Sequence, residues 1–221
     1  MLIIGYGKLG RAMISRIATK NTTVDVFNRT KAAVDGDPLC NYVPPEDFHR
    51  YSKVLIALPA QAYDDFFIRW NGYFSEGTCF FYCATNVMKE DMDTYMKDRY
   101  TAAPCKLAGH ATMLQTMGEG AFVFENDQRR TQFQQWCGDA LKTMVADERD
   151  VQKANRIATE ESLRALLHME ERLQQEHVSA DLMGTVSASI PGGIAYAHKY
   201  QQHGHFARDL LQKWKGGSVD E

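Results

Sequence analysis

Met1-Leu2-Ile3-Ile4-Gly5-Tyr6-Gly7-Lys8-Leu9-Gly10 is the stretch on which the rest of the chain turns. Its apolar start reads as a buried strand, and Gly5, Gly7 and Gly10 supply the spacing GxGxxG. An amphipathic pattern predicts a helix from Lys8 to Thr19, and a second apolar run, Val24 to Phe27, ends in Asn28-Arg29-Thr30. Strand, glycine loop, helix and strand at this spacing are the signature of a dinucleotide-binding βαβ unit. Each glycine has a separate task. Gly5 turns the chain off the strand, Gly7 lets the backbone approach a pyrophosphate, and Gly10 lets helix and sheet pack closely. The helix N-terminus adds unpaired N–H groups and a partial positive charge, so Tyr6, Lys8 and Leu9 join the glycines as cofactor-binding candidates.

The end of the second strand selects the cofactor. An acidic residue there accepts hydrogen bonds from the ribose 2′-OH of NAD and repels a 2′-phosphate. Asn28-Arg29-Thr30 instead offers an amide, a guanidinium and a hydroxyl, a set suited to a 2′-phosphate. The expected cofactor is therefore NADP(H).

Further along, a weak strand is expected near Asn41 to Val43, with a turn into a short helix at Pro44-Pro45-Glu46-Asp47. Val54 to Leu58 and Thr78 to Cys83 read as buried strands. Helices follow them from about Gln61 to Trp70 and up to about Arg99. Near-continuous apolar strands alternating with helices predict a parallel sheet covered on both faces. Ligands of such sheets sit at the C-terminal strand ends, which makes Leu58, Pro59, Ala84 and Thr85 candidates for the cofactor lip. The strand Ala121 to Phe124 and a helix from Thr131 to Met144 are expected to close this half. The predicted class is α/β: a Rossmann-type, mostly parallel sheet with a C-terminal all-helical tail. The boundary is drawn near residue 146, giving an NADP-binding domain over 1–146 and a helical domain for dimerisation and substrate over 147–221.

Composition narrows the partners. A net charge of −3 in 221 residues gives no electrostatic case for nucleic acid or an anionic membrane. No apolar run is long enough to span a bilayer, and Met1 to Ile4 lacks the basic leader of a signal peptide. The 5 cysteines form no CxxC pair, and Cys79 and Cys83 share one face of an apolar strand, which fits a reduced cytoplasm.

The tail begins with a long predicted helix from Arg149 to Gln175, whose stripe is Val151, Ala154, Ala158, Ser162, Ala165, Met169 and Leu173. Leu163, Leu166 and Leu167 widen that face, while Asn155, Thr159 and Ser162 flank it. Ser179 reads as the N-cap of a short helix over Ala180 to Ala188. Pro191-Gly192-Gly193 is expected to break the chain, with short helices following over Ile194 to Tyr200 and Phe206 to Trp214.

Taken together, these residues resemble the pyrroline-5-carboxylate reductase family. The glycine loop, Asn28-Arg29-Thr30 and Ile56-Ala57-Leu58-Pro59 are similar to that family's cofactor half, and Gly118-Glu119-Gly120 to its glycine turn before the last strand. Ser189-Ile190-Pro191-Gly192-Gly193 resembles its Ser-Pro-Gly-Gly-Thr-Thr element. The departures lie at the substrate end. Gly109-His110-Ala111-Thr112 stands where the family has a proline-asparagine segment, Asn155 to Thr159 replaces its Gly-Ser-Gly-Pro-Ala-Tyr helix start, and Ile194-Ala195 replaces the two threonines. The resemblance implies an NADP-dependent reductase acting on a small imine or carbonyl compound. A reductase-like protein that binds NADP(H) as a sensor or scaffold is the alternative.

Hydride transfer needs the nicotinamide placed against a C=N or C=O carbon and one donor to polarise or protonate the acceptor. His110 is the best-placed titratable candidate, and Thr112, Asn155 and Ser189 are neutral donors able to orient a small acid or imine. β-Hydroxyacid dehydrogenases resemble this layout and carry a lysine and an asparagine one turn apart. Here Lys153 and Asn155 are two positions apart and point different ways, so Lys153 is expected at the surface. His198, His203 and His205 lie around Gly204 without acidic or cysteine partners, and no metal is expected. The wide apolar face of the tail helix, together with the family's habit of pairing subunits through its tail, predicts a homodimer. Its seam is expected over residues 150–200, close to Asn155, Thr159 and Ser189.

Overall fold

The computed structural model describes residues 1–18 and 22–216. The first strands are β1 (Leu2–Ile4), β2 (Val24–Phe27), β3 (Cys40–Tyr42), β4 (Lys53–Ile56), β5 (Cys79–Tyr82) and β6 (Thr101–Pro104). They form one 6-stranded sheet in the order β3-β2-β1-β4-β5-β6, with every pairing parallel. This is the Rossmann-type α/β arrangement expected from the apolar runs. Ile3 lies opposite both Val26 and Leu55, so β1 is central.

Strand periodicity explains why those runs are apolar throughout. Ile3, Val26, Leu55, Phe81 and Ala103 enter one core layer, while Leu2, Ile4, Val54, Ile56, Phe80 and Tyr82 enter the other. Helix α1 (Lys8–Ile17) covers the first layer through Ala12, Met13 and Ile14. The expected end of α1, Thr19, lies outside the described residues. Helices α2 (Tyr63–Trp70) and α3 (Lys89–Met96) cover the second layer through Tyr63, Phe66, Phe67, Met92 and Met96. Helix α3 stops at Met96, short of Arg99, because Lys97 and Asp98 both take left-handed φ values of 45° and 59°. Cys79 and Cys83 share the first layer with Phe81, as strand alternation requires.

Beyond β6 the structure departs from the sequence reading. A second, 3-stranded sheet has the order β7-β8-β9, built from β7 (Lys106–Ala108), β8 (Ala121–Phe124) and β9 (Thr143–Val145). Its β7–β8 pair is antiparallel and its β8–β9 pair parallel. Helix α4 (Ala111–Met117) connects the first two strands and packs against α1. The helix expected over Thr131 to Met144 is α5 (Asp127–Cys137). It starts early because the Asn126 side chain accepts the Arg129 N–H at 2.9 Å, an N-cap ahead of the apolar pattern. It ends early at Gly138, whose φ is +58°, and that end frees Thr143–Val145 to extend the sheet.

The chain divides into two compact units, Met1–Arg156 and Ile157–Glu221. The division falls inside helix α6 (Glu148–Gln175), whose first turns belong with the sheet unit through buried Val151. The second unit continues with α7 (Ala180–Lys199) and α8 (His205–Gly216). The break expected at Pro191-Gly192-Gly193 is absent: α7 runs from Ala180 to Lys199 with Pro191 inside it. A proline removes one N–H and crowds the preceding turn, yet its fixed φ is itself helical, so the turns on either side carry on at a cost of about 3 kcal/mol. Ser179 occupies the N-cap position of α7, but its side chain makes no capping bond. Among the described residues, no helix is long and apolar enough to cross a membrane.

Candidate dinucleotide-binding site

In a parallel sheet every C-terminal strand end lies on one edge, and the strand order turns back between β1 and β4, where a crevice opens. The glycine loop leaves β1 at that point. Gly5 has a φ of +109°, and a Cβ there would sit 2.7 Å from the Ala57 carbonyl oxygen and 3.1 Å from Leu58 Cδ2. The first glycine therefore turns the chain and also lets it press against the Leu58-Pro59 lip after β4. A Cβ on Gly10 would lie 2.2 Å from the Gly5 carbonyl oxygen, whereas one on Gly7 would meet nothing within 4 Å. Two glycines are demanded by the fold, and the third only by whatever comes to the loop. Helix α1 starts at Lys8 with no side-chain cap on Gly7 and no acidic residue in its first turn, an N-terminus suited to an anion. Lys8 and Leu9 stand in that turn.

The end of β2 is organised around Asn28. Its Oδ1 accepts the Tyr6 N–H at 3.3 Å, and its Nδ2 donates to the Thr30 carbonyl at 3.0 Å. The amide thus braces the glycine loop against the turn after β2, leaving Arg29 and Thr30 as the exposed side chains there. The Tyr6 hydroxyl donates to Asp37 Oδ2, tying the same loop to the turn before β3. That bond holds the Asp37 carboxyl below the usual carboxylate value, while burial raises the Tyr6 phenol.

A cavity of ≈ 220 Å³ opens beside these elements. It is lined by Gly5, Asn28, Arg29, Leu58 and Pro59 from the strand ends, and by Ala62, Asp65, Phe66, Arg69 and Trp70 from α2 and the turn before it. The slot is apolar with Trp70 on its wall, which suits an adenine ring, and its two guanidiniums outnumber the single Asp65 carboxylate, leaving a net positive lining beside it for a phosphate. Arg69 carries no signal of its own in the sequence. The helix was legible, but which of its faces meets the end of β2 depends on the packing.

Ala84 and Thr85 follow β5, the former partly buried and the latter exposed. The Ala84 N–H donates to the Tyr63 hydroxyl at 3.4 Å, and its carbonyl accepts from Lys106 Nζ at 2.6 Å. Lys106, on β7, is buried, and burial lowers its pKa while the nearby Glu148 carboxylate opposes that shift.

His110 is the N-cap of α4: its Nδ1 accepts the Thr112 N–H at 3.3 Å. An accepting Nδ1 leaves the proton of a neutral ring on Nε2, which makes Nε2 the donor available for chemistry. Thr112 is exposed in the same first turn. Asn155 clamps the loop before it, with Nδ2 donating to the Leu107 carbonyl at 2.8 Å and Oδ1 accepting the Gly109 N–H at 3.2 Å. The structure therefore brings His110, Thr112 and Asn155 together around one turn. Ser189 belongs to the second unit, on α7, where its hydroxyl donates to the Thr185 carbonyl at 2.8 Å. Lys153 is at the surface, 65% exposed and 3.5 Å from Asp150. His198 Nδ1 and His203 Nε2 lie 3.0 Å apart, and no group of three or more metal-ligating side chains occurs among the described residues.

The six-stranded parallel sheet, with a glycine loop at its switch point, is a fold shared with solved reductases. Among solved structures the chain is similar to a pyrroline-5-carboxylate reductase from Coxiella burnetii, with a TM-score of 0.69 at 11% identity over 99% of this chain and 86% of that one. It is also similar to the Plasmodium falciparum pyrroline carboxylate reductase with NADP bound (TM-score 0.64, 13% identity, 100% and 85% covered). A third is the imine reductase from Myxococcus stipitatus in complex with NADP+ (TM-score 0.61, 16% identity, 98% and 77% covered). At these identities the likeness establishes the fold. No protein-family model matches the sequence, and no curated protein matches it.

Proposed function

We propose that the chain is an NADP-dependent oxidoreductase of the pyrroline-5-carboxylate reductase type, acting on a small imine or carbonyl compound. The observation that carries this reading is the crevice between β1 and β4. There an open Gly7 and an uncapped helix start stand beside a pocket lined by Arg29 and Arg69, with no carboxylate at the end of β2. The solved neighbours that hold NADP or NADP+ support the same choice of cofactor.

When bound, NADPH supplies the hydride. The α1 N-terminus binds the pyrophosphate, and Arg29 with Arg69 holds the 2′-phosphate. Leu58, Pro59, Ala84 and Thr85 form the lip that positions the dinucleotide and excludes water. His110 Nε2–H is the donor proposed for the acceptor atom, oriented by the Thr112 N–H on its other nitrogen. A second copy of the chain, docked through the helical tail, completes the proposal. Helix α7 buries no residue of its own, and Leu163, Leu167, Ile190 and Ile194 are exposed.

A second reading, a sensor that binds NADP(H) without turnover, is favoured by one observation. The Asn155 amide and the Ser189 hydroxyl are both engaged in intramolecular bonds. Titrating intrinsic fluorescence with NADPH and NADH tests the cofactor. NADPH should bind more tightly, and Arg29→Ala should weaken NADPH by roughly tenfold or more while barely changing NADH. Equal binding of the two cofactors would remove the argument. Steady NADPH oxidation with cyclic imines, keto acids or aldehydes, abolished by His110→Ala with cofactor binding intact, would eliminate the sensor.

A further inference from the structure

Lys106 is the fully buried charge of the sheet unit. At 1% exposure it joins Thr78 as the buried polar side chains among the described residues. Its Nζ donates to the Ala84 carbonyl at 2.6 Å and to the Val87 carbonyl, lies 3.4 Å from Glu148 Oε2, and sits 4.3 Å from the centre of the Tyr82 ring. An ammonium has three hydrogens, and here each has an acceptor. Glu148, 12% exposed, is itself held: it accepts the Tyr82 hydroxyl at 3.0 and 3.2 Å and the Lys89 N–H at 2.9 Å.

Stability alone does not account for this arrangement. Burying a charge costs desolvation, and an unbranched apolar side chain of similar length would fill the space without that cost. What such a side chain cannot do is fix carbonyls. The two carbonyls that Lys106 holds, Ala84 and Val87, bracket Thr85-Asn86, so the ammonium pins both ends of the turn between β5 and α3. That turn is the C-terminal lip of the β4-β5-β6 half of the sheet. In a doubly wound fold one mononucleotide lies on each half; the cavity with Arg29 and Arg69 lies at the switch point, lined by the ends of β1 and β2 together with Leu58-Pro59 and α2, and no residue of the Ala84–Val87 turn lines it.

We propose that Lys106 is a positioning residue for the nicotinamide half of the cofactor, with Glu148 and Tyr82 holding its ammonium against the Ala84–Val87 turn. It touches neither cofactor nor substrate, and the inference rests on the dinucleotide reading above.

The test is calorimetric titration of the full chain with NADPH and, separately, with adenosine 2′,5′-bisphosphate, which fills only the adenine half. Lys106→Met should raise the Kd for NADPH by about tenfold or more, equivalent to roughly 1.4 kcal/mol, and leave the bisphosphate within about twofold. Glu148→Gln keeps the side-chain shape and removes the counter-charge; it should shift NADPH the same way by a smaller factor, and it decides the matter if Lys106→Met does not fold. NADPH binding unchanged in both variants would overturn the proposal. Equal weakening of NADPH and bisphosphate would also overturn it, because a merely structural lysine affects both halves alike. Failure of the unaltered chain to bind NADPH would instead reject the dinucleotide reading, and this inference with it.

Discussion

The carbonyl oxygen of Gly5 occupies the place where a side chain on Gly10 would have to go, 2.2 Å from the position of its Cβ. That oxygen is backbone and cannot swing aside, so Gly10→Ala must separate α1 from β1. A loss of roughly 1–3 kcal/mol or more is expected, seen as a lower urea midpoint. Gly7→Ala is the contrasting variant. Gly7 has an extended φ of −82° and open space around it, so stability should stay within about 0.5 kcal/mol while NADPH affinity collapses. A Gly7→Ala protein that binds NADPH normally would show that the pyrophosphate does not approach this loop.

Asn155 joins the start of α6 to the turn ahead of His110, through Gly109 and Leu107. Asn155→Ala leaves the carbonyl of buried Leu107 without its partner, which costs about 1–3 kcal/mol, while the exposed Gly109 N–H turns to water at little cost. A fall in Tm is therefore expected whether or not any substrate is present. An unchanged Tm with impaired turnover would instead assign the amide to substrate alone.

Tyr51 gives the fold an alkaline sensitivity. Burial and a hydrogen bond to Asp25 push its phenol up from 10.0 to about 12. The folded chain therefore holds this proton more tightly than the unfolded one. The stability it contributes is complete below the unfolded value of 10.0 and is lost as pH rises to about 12. Tyr95 acts in the same direction through burial and Asp64. Lys106, whose value is lowered, acts oppositely in its own window. Urea midpoints taken at intervals from pH 8 to pH 11 should decline over the upper part of this range, and more shallowly in Tyr51→Phe. Parallel declines in the two proteins would acquit Tyr51.

In the second unit, Leu167 is 60% exposed and Leu163 54%, on a helix whose buried residue is Val151, in the first unit. Pairing with a second copy through this face should give a dimer mass by light scattering at micromolar protein. Leu167→Glu should reduce it to the monomer. A monomer mass for the unaltered chain, with the variant equally soluble, would reject the pairing.

Local chemistry in the sequence determined the first half of this fold. The glycine spacing, the apolar runs and the helical stripe of α1 depend on residues within a few positions of one another, and periodicity reports such relations directly. Asn28-Arg29-Thr30 and the Leu58-Pro59 lip were legible for the same reason, since strand ends in a parallel sheet share an edge. Packing decided the rest. Whether Thr143–Val145 is helix or strand turned on β8 lying alongside, and α7 continues through Pro191 although local preference stops it there. Lys106 reads as an ordinary lysine beside an apolar run. It becomes a buried clamp only because Ala84, Val87 and Glu148, 19 to 42 positions away along the chain, converge on it. Arg69 joins Arg29 only because α2 turns that face toward the end of β2. A one-dimensional pattern records which face of an element is apolar, while the partner that this face or a polar side chain meets is set by the closure of the whole sheet.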